Sequence, residues 1–228
     1  MKKIRKILII LSLLLILSVG GFLIYASDYY RADDSAIAIL NSADDITIKD
    51  NLTFLSTKES SNTGIIFYPG AKVEAIAYLP LLNQIRDNGI NSILVEMPLN
   101  MAIFNSNAAH SVISSYPEIT NWYIMGHSMG GAMASKYASD HPEKVKGLIL
   151  LGAYVYGDYP PEKSLTIYGS FNSNLEDNID YTDNIIVIDG GNHAKFGNYG
   201  VQKGDPEGTI THEEQQSIAV KAILDFIN

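Results

Sequence analysis

The sequence predicts an α/β fold in which a mostly parallel sheet is covered by helices on both faces. Short apolar segments, such as residues 64–68 and 145–151, alternate along the chain with longer segments that favour helices. These apolar segments are continuous, which is typical of parallel strands buried on both faces. A third indication is residues 123–131, YIMGHSMGG, where an apolar strand ends in a sharp turn and a helix-compatible segment follows.

Length and composition predict one domain without a nucleic-acid partner. At 228 residues the chain suits one core of ordinary size, and its net charge of -9 would repel a phosphate backbone. The sequence contains no cysteine, so disulfides and thiolate metal sites are excluded. No H-E-x-x-H or comparable ligand cluster is present, and we expect neither a metal nor a cofactor. The sequence does not predict the oligomeric state.

The amino terminus predicts a membrane helix. Four basic residues, Lys2, Lys3, Arg5 and Lys6, precede the uncharged residues 7–25, and nineteen helical residues span roughly 28 Å, about one hydrocarbon core. Because the basic residues come first, the positive-inside rule places the rest of the chain outside the cytoplasm. We therefore expect residues 1–27 to be a single-pass signal anchor in the cell membrane.

The alternative is a secretory signal peptide cleaved near Ala26, which would leave a secreted protein. The anchor is favoured because the apolar segment is longer than a usual signal core. Ile24-Tyr25-Ala26 is also a poor match to a small-x-small cleavage site.

Residues 28–45 are predicted to form a partly helical connector, and residues 46–228 the α/β domain. We predict strands at residues 46–48, 52–55, 64–68, 92–96, 122–125, 145–151, 165–168 and 185–188, and helices at about 74–88, 101–115, 129–141 and from 211 onward. Asp50-Asn51 indicates a turn between the first two strands, and Pro69-Gly70 ends the third. Gly89 fits a helix C-cap, and Thr211 with Glu214 resembles a capping box.

Ser128 is the candidate nucleophile. It lies in a G-x-S-x-G pattern directly after a predicted central strand, on a turn whose strained backbone lifts the hydroxyl clear of the sheet. The pattern alone is weak, and the strand, turn and helix around it strengthen the prediction. Reaction chemistry in such a sheet belongs at the carboxyl ends of the strands.

A serine hydroxyl needs a neighbouring base, and His193 is the candidate. It follows the last predicted strand, in VIDGGNHAKFG, at the same sheet edge as Ser128. The other four histidines each have a satisfactory structural explanation: His110, His127, His141 and His212.

A tetrahedral intermediate needs N–H donors for its oxyanion. Met129, directly after the nucleophile, offers one, and Ala71, on the loop after the strand at residues 64–68, offers the other.

The residue that orients the histidine is expected after the strand at residues 165–168. Asp177 is the preferred candidate, with Glu176 beside it, while Asp158 follows the preceding strand. Asn172 stands where a carboxylate is expected. An asparagine can hold an imidazole tautomer but cannot balance the imidazolium charge.

Together these segments resemble the α/β-hydrolase superfamily, and within it small bacterial members without a cap, similar to dienelactone hydrolases. The matching segments are FYPGAKVEAIAYLPLL, VEMPLNMAIF, WYIMGHSMGGAMASKYA, GLILLGAY and GGNHAKFGNYG. The resemblance implies a Ser128 nucleophile, a His193 base and oxyanion donors at Met129 and Ala71. Relatives would carry Gly-x-x-Asp after Tyr168, where this chain has Asn172.

The predicted function is that of a membrane-anchored serine hydrolase outside the cytoplasm, which cleaves a small-molecule carboxylic ester through an acyl-enzyme. Only a short loop separates residues 151 and 164, so no sizeable lid is expected. Tyr154, Tyr156 and Tyr199 are predicted to border an open cleft. Two alternatives remain: a degenerate hydrolase that acts as a surface binding module, and an amidase, peptidase or acyltransferase with the same machinery.

Overall fold

The computed structural model describes residues 2–42 and 45–228, and it confirms the α/β fold. The sheet consists of β1 (Ile46–Lys49), β2 (Leu52–Leu55), β3 (Thr63–Tyr68), β4 (Asn91–Val95), β5 (Asn121–His127), β6 (Gly147–Leu151), β7 (Ser164–Gly169) and β8 (Ile185–Ile188). Their spatial order is β1-β2-β4-β3-β5-β6-β7-β8. Strands β3 to β8 pair in parallel, so their carboxyl ends share one edge of the sheet.

The first two strands form the antiparallel part of the sheet. The turn between them contains Asp50 at φ 54°, a left-handed conformation that aspartate tolerates, and β2 then pairs antiparallel with β4. The predicted turn at Asp50-Asn51 is thus confirmed.

The helices are α1 (Lys2–Ser27), α2 (Asp34–Ser42), α3 (Leu79–Asp87), α4 (Ala108–Ser115), α5 (Met129–Asp140) and α6 (His212–Ile227). Two apolar cores lie between the sheet and the helices that cover it. One lies under α3 and α6, around Phe67 and Ile149, and the other lies under α4 and α5, around Ile66 and Ile124. Because alternate residues of each strand point to opposite faces, the continuous apolar strands supply both cores.

Two predicted helices differ from the structure. The predicted helix at residues 74–88 begins as the 3-10 turn Ala75–Tyr78 and becomes α3 at Leu79, where Pro80 occupies an initial position that suits its missing N–H. The predicted helix at residues 101–115 is wrong over its first half. There the chain forms the 3-10 turn Ala102–Phe104 and only then α4.

The start of α6 was predicted correctly. The Thr211 hydroxyl accepts the Glu214 N–H at 3.1 Å, and the Glu214 carboxylate accepts the Thr211 N–H at 2.8 Å. The capping box therefore fixes the start of the last helix, which closes one face of the sheet.

The amino-terminal helix α1 leaves the body of the molecule. Within Lys3–Ser27 the most apolar 18 residues have a mean hydropathy of 3.0 and are unburied, so the length and composition of this helix suit a membrane span. The chain after it returns to the body at once. Ala26 is buried, and Tyr30 forms a parallel bridge with Val73.

Candidate active site

Ser128 occupies a strained turn between β5 and α5. Its backbone has φ 53° and ψ −122°, outside the regions that a residue with a side chain prefers. Such a conformation costs roughly 1–3 kcal/mol and persists where its surroundings enforce it. One such restraint is the hydrogen bond from the Ser128 N–H to the Leu151 carbonyl at 3.0 Å. The half-buried side chain is therefore held at the carboxyl edge of the sheet.

The glycines of the G-x-S-x-G pattern are required by close backbone approach. A Cβ on Gly126 would lie 2.4 Å from the Gly130 carbonyl carbon, and one on Gly130 would lie 2.1 Å from the Tyr68 carbonyl oxygen. Neither neighbour is a flexible side chain that could move away. These contacts bring α5 against β3 and β5 and fix the direction in which Ser128 points.

His193 follows β8 at the same sheet edge, on the loop that leads to the 3-10 turn Ala194–Phe196. Gly152, directly after β6, lies near both residues. A Cβ on Gly152 would be 2.8 Å from His193 Nδ1, and Gly152 also lines the cavity beside Ser128. In the described part of the chain no hydrogen bond joins the Ser128 hydroxyl to the imidazole. Such bonds are often long in the absence of substrate.

The four candidate orienting residues lie in different places. His193 Nδ1 is 3.0 Å from Asn172 Nδ2. Glu176 accepts a hydrogen bond from the Tyr168 hydroxyl at 3.1 Å, whereas Asp177 and Asp158 are exposed. Among the four, Asn172 is thus the residue against the imidazole, although the sequence favoured Asp177.

The orientation of the Asn172 amide decides what this contact does. With its nitrogen toward the imidazole, the amide donates to Nδ1 and the ring carries its proton on Nε2, so Nε2 could not act as a base. With its oxygen there, Nδ1–H donates and Nε2 is free to accept a proton. The two orientations differ only by an exchange of the amide oxygen and nitrogen of Asn172. The choice between them therefore follows from the protonation that the histidine needs.

Sequence reasoning missed Asp205. Its carboxylate accepts the backbone N–H of His193 at 3.2 Å and that of Ala194 at 2.8 Å, which anchors the histidine loop. Its negative charge also favours the imidazolium. The only signal in the sequence is a carboxylate twelve residues after the histidine, on a loop that nothing else distinguishes.

Burial and charge oppose each other at His193. Burial lowers the pKa of the imidazole below its usual value, and the nearby Asp205 carboxylate partly offsets this by favouring the charged form. A base with a lowered pKa is neutral, and so able to accept a proton, at neutral pH.

A buried hydrogen-bond chain links the loop after β3 to the histidine loop. Gly70 N–H donates to the Tyr78 hydroxyl at 3.1 Å, which lies 2.8 Å from His127 Nδ1, while His127 Nε2 lies 2.9 Å from the His193 carbonyl. A carbonyl only accepts, so Nε2 carries the proton and the Tyr78 hydroxyl donates to Nδ1. His127 is therefore a neutral cross-link. Burial and the neighbouring His193 lower its pKa.

The two predicted oxyanion donors follow the neighbouring strands β5 and β3 at the carboxyl edge of the sheet. Met129 is the first residue of α5, and Ala71 follows Gly70 on the loop after β3. Within the described residues neither backbone N–H donates to a protein acceptor. Both groups are therefore available to a ligand at this edge.

Two cavities meet the site from different sides. One, of about 240 Å³, lies beside Ser128 and is mostly apolar, lined in part by Met129, Ala153, Tyr154, Tyr156 and Leu175. The other, of about 520 Å³, is more polar and is lined in part by Asn172, His193, Lys203 and Asp205. Tyr199, predicted at the cleft, is instead buried against Tyr30 and Tyr78.

Comparison with known proteins agrees with the fold. The model of the alpha/beta hydrolase family matches residues 64–217. Among solved structures, Est1E from Butyrivibrio proteoclasticus is similar with a TM-score of 0.55 and 13% identity, over 80% of this chain and 98% of that one. Dienelactone hydrolase from Anabaena variabilis is similar with a TM-score of 0.50 and 13% identity, over 78% and 92%.

A curated relative matches over a short segment. It is a probable 1-acylglycerol-3-phosphate O-acyltransferase from Oryza sativa subsp. japonica, 53% identical over 34 residues. The match covers 15% of this chain and spans 8% of the length of that relative.

Proposed function

We propose that this chain, which belongs to the alpha/beta hydrolase family, is a membrane-anchored serine hydrolase that cleaves carboxylic esters outside the cytoplasm. The observation that carries the proposal is the left-handed Ser128 at the carboxyl edge of the sheet, with His193 at the same edge after β8 and close to Gly152. A strained serine and a histidine at the same edge of a parallel sheet are an arrangement that nucleophilic catalysis uses.

In the proposed reaction, Ser128 Oγ attacks the ester carbonyl while His193 Nε2 accepts the hydroxyl proton. The resulting oxyanion accepts hydrogen bonds from the N–H groups of Met129 and Ala71. When the intermediate collapses, the C–O bond to the alcohol breaks, and His193 returns the proton to the departing oxygen. Water, deprotonated by the same nitrogen, then releases the acid from Ser128.

Asn172 is proposed to orient His193, with its amide oxygen accepting from Nδ1–H. This amide orientation is the one compatible with a free Nε2. Because an amide carries no net charge, the imidazolium lacks an adjacent counter-ion, and Asp205 supplies the nearby negative charge instead. The expected enzyme is therefore slower than one with a carboxylate at position 172.

The cavities suggest how an ester is placed. The apolar cavity of about 240 Å³ beside Ser128 suits an acyl chain, and the polar cavity beside His193 suits the leaving alcohol. The anchoring is proposed from α1, whose unburied apolar surface needs a nonpolar surrounding.

The test is covalent labelling of the full chain, in detergent, by a fluorophosphonate. We expect labelling of the wild type and none of Ser128→Ala. Ser115→Ala, which removes an exposed hydroxyl from α4, is the matched control and should label normally. Folded wild-type protein that resists the probe and cleaves no ester would contradict the proposal.

A second candidate is a hydrolase that has lost activity and serves as a surface binding module. The amide at position 172, in place of a carboxylate, favours it. Retained ester hydrolysis in the wild type, lost in Ser128→Ala, would exclude this candidate.

Acyl transfer to an acceptor other than water would appear as faster product release when alcohols or amines are added.

A further inference from the structure

Three exposed apolar side chains lie together after β4. Leu99, Ile103 and Phe104 are 42%, 56% and 50% exposed, and they belong to the consecutive 3-10 turns Pro98–Asn100 and Ala102–Phe104. Single exposed apolar residues are ordinary, but adjacent ones indicate a surface that is covered by something. We call these three residues the apolar lip.

The apolar lip is continuous with the carboxyl end of α1. The Phe22 and Phe104 rings pack edge to face with their centroids 5.9 Å apart, and α1 also contacts the turn that carries Leu99. The apolar surface of the helix therefore runs directly onto the lip. Whatever surrounds the last turns of α1 also meets these three side chains.

The end of α1 is also fastened to the loop that follows β3. Lys72 Nζ lies 3.9 Å from the centre of the Tyr25 ring and 3.7 Å from the Asp28 carboxylate. Tyr30 N–H donates to the Lys72 carbonyl at 2.7 Å, and Lys72 N–H donates to the Asn100 carbonyl at 2.8 Å. Helix, loop and lip thus form one unit, and Lys72 is the neighbour of the proposed oxyanion donor.

The backbone of this unit is strained at three residues that are not glycine. Lys72, Leu99 and Asn100 have φ values of 58°, 54° and 53°. The bonds from Tyr30 and to Asn100 hold these conformations, and such strain concentrates at functional surfaces. The turn Ala102–Phe104 packs against α5, the helix that begins at Met129. The lip therefore lies on the face of the sheet that is covered by α5, the helix that follows Ser128.

Tyr25 and Lys72 indicate the level of a membrane surface. Tyrosine rings concentrate where the hydrocarbon ends, and lysines direct their ammonium groups toward the headgroups. Here both residues lie where α1 joins the body of the molecule, beside the lip. A lipid bilayer that contains α1 therefore reaches the lip without any movement of the domain.

We infer that the apolar lip is seated in the bilayer surface, so that the Ser128 site takes its acyl group from amphiphilic esters dissolved in the membrane. The source of the substrate rests on the proposed function, whereas the seating of the lip rests on α1 spanning the membrane. The lip adjoins the loop of Ala71 and Lys72, because the Lys72 N–H donates to the Asn100 carbonyl.

The absence of cysteine makes a direct test straightforward, because one introduced cysteine can be labelled alone. Full-length Ile103→Cys carrying an environment-sensitive nitrobenzoxadiazole dye is reconstituted in phosphatidylcholine vesicles with or without nitroxide on the acyl chains. The control is Glu59→Cys, an exposed residue before β3. It lies at the amino ends of the parallel strands, about 20 Å from the site edge for a six-residue strand.

We expect the dye at position 103 to be quenched at least roughly threefold more strongly than the dye at position 59, since only the former would touch acyl chains. Equal quenching at the two positions would overturn the seating of the lip. A dye at 103 that is shielded in detergent, and is not quenched in vesicles, would indicate a protein surface and would also overturn it.

A second variant tests the substrate class. Replacing Ile103 and Phe104 together by serine should lower the ratio of long-chain ester cleavage in vesicles to soluble short-chain ester cleavage by roughly tenfold. An unchanged ratio would overturn the membrane source of the substrate. Strong quenching at 103 with no cleavage of either ester by the wild type would refute the proposed function, while the seating of the lip would stand.

Discussion

Replacing Asn172 by aspartate should increase activity. The substitution puts a carboxylate 3.0 Å from His193 Nδ1, where the amide now lies. A carboxylate accepts from Nδ1–H in either orientation, so it fixes the tautomer that leaves Nε2 free. In the proposed reaction it also stabilises the imidazolium that forms when Ser128 attacks the ester.

The size of the effect follows from the distance. Two unit charges about 4 Å apart at an effective dielectric constant near 20 interact by about 4 kcal/mol. Because Asn172 and His193 are both half-buried, solvent screens part of this, and about 2 kcal/mol is a fair expectation. That energy corresponds to roughly a 30-fold increase in kcat/KM.

The assay is hydrolysis of a soluble p-nitrophenyl ester as a function of pH. The added carboxylate raises the pKa of His193, so the acid limb of the profile should move to higher pH and the full gain should appear near pH 8.5 or above. Asn174→Asp is the matched control, since it adds the same charge two residues along the turn on an exposed side chain. A folded Asn172→Asp variant that is no faster than wild type at any pH would refute the assigned role of position 172.

Three further predictions concern the surroundings of His193. Asp205→Asn removes the charge that favours the imidazolium, so kcat/KM should fall roughly threefold to tenfold and the acid limb of the pH-rate profile should move to lower pH. The control is Asp158→Asn, which should change neither quantity in the same measurement. Tyr78→Phe leaves the Gly70 N–H and His127 Nδ1 without their partner, so the free energy of unfolding should fall by about 2 kcal/mol. In calorimetry this corresponds to a Tm lower by about 4–8 °C. An unchanged Tm would show that the chain of hydrogen bonds is not maintained. Burial lowers the folded-state pKa of His127, so just below pH 6.5 the unfolded chain binds more protons than the folded one. The free energy of unfolding of the wild type should therefore decline as pH falls through that region. In denaturant titrations, His127→Gln should make this decline less steep. A decline of equal steepness in both proteins would contradict this.

Most of the sheet could be predicted because each strand is a short continuous apolar segment. Residues 185–188 and 52–55 were bounded correctly from hydrophobicity and turn residues alone. The error at residues 101–115 has a local cause. The first residues of this segment form a 3-10 turn that leaves Ile103 and Phe104 exposed, although their composition resembles that of a helix.

The places of the candidate residues were predictable where the backbone leaves a local signature. Ser128 is flanked by glycines that the turn requires, and His193 follows a strand at the expected edge. Nothing local distinguishes Asp205, whose role comes from two backbone hydrogen bonds made across a loop. The preference for Asp177 came from its charge and from its place after β7 in the sequence, whereas the distance to the imidazole depends on how the turn after β7 folds.

The conformation of Ser128 sets stability and reactivity against each other. A glycine adopts φ 53° without steric conflict, so Ser128→Gly would relax the backbone by about 1 kcal/mol while it removes the hydroxyl. Pressure for heat resistance alone would thus favour the loss of this serine. The proposed nucleophile therefore costs the fold some stability that a glycine at position 128 would not.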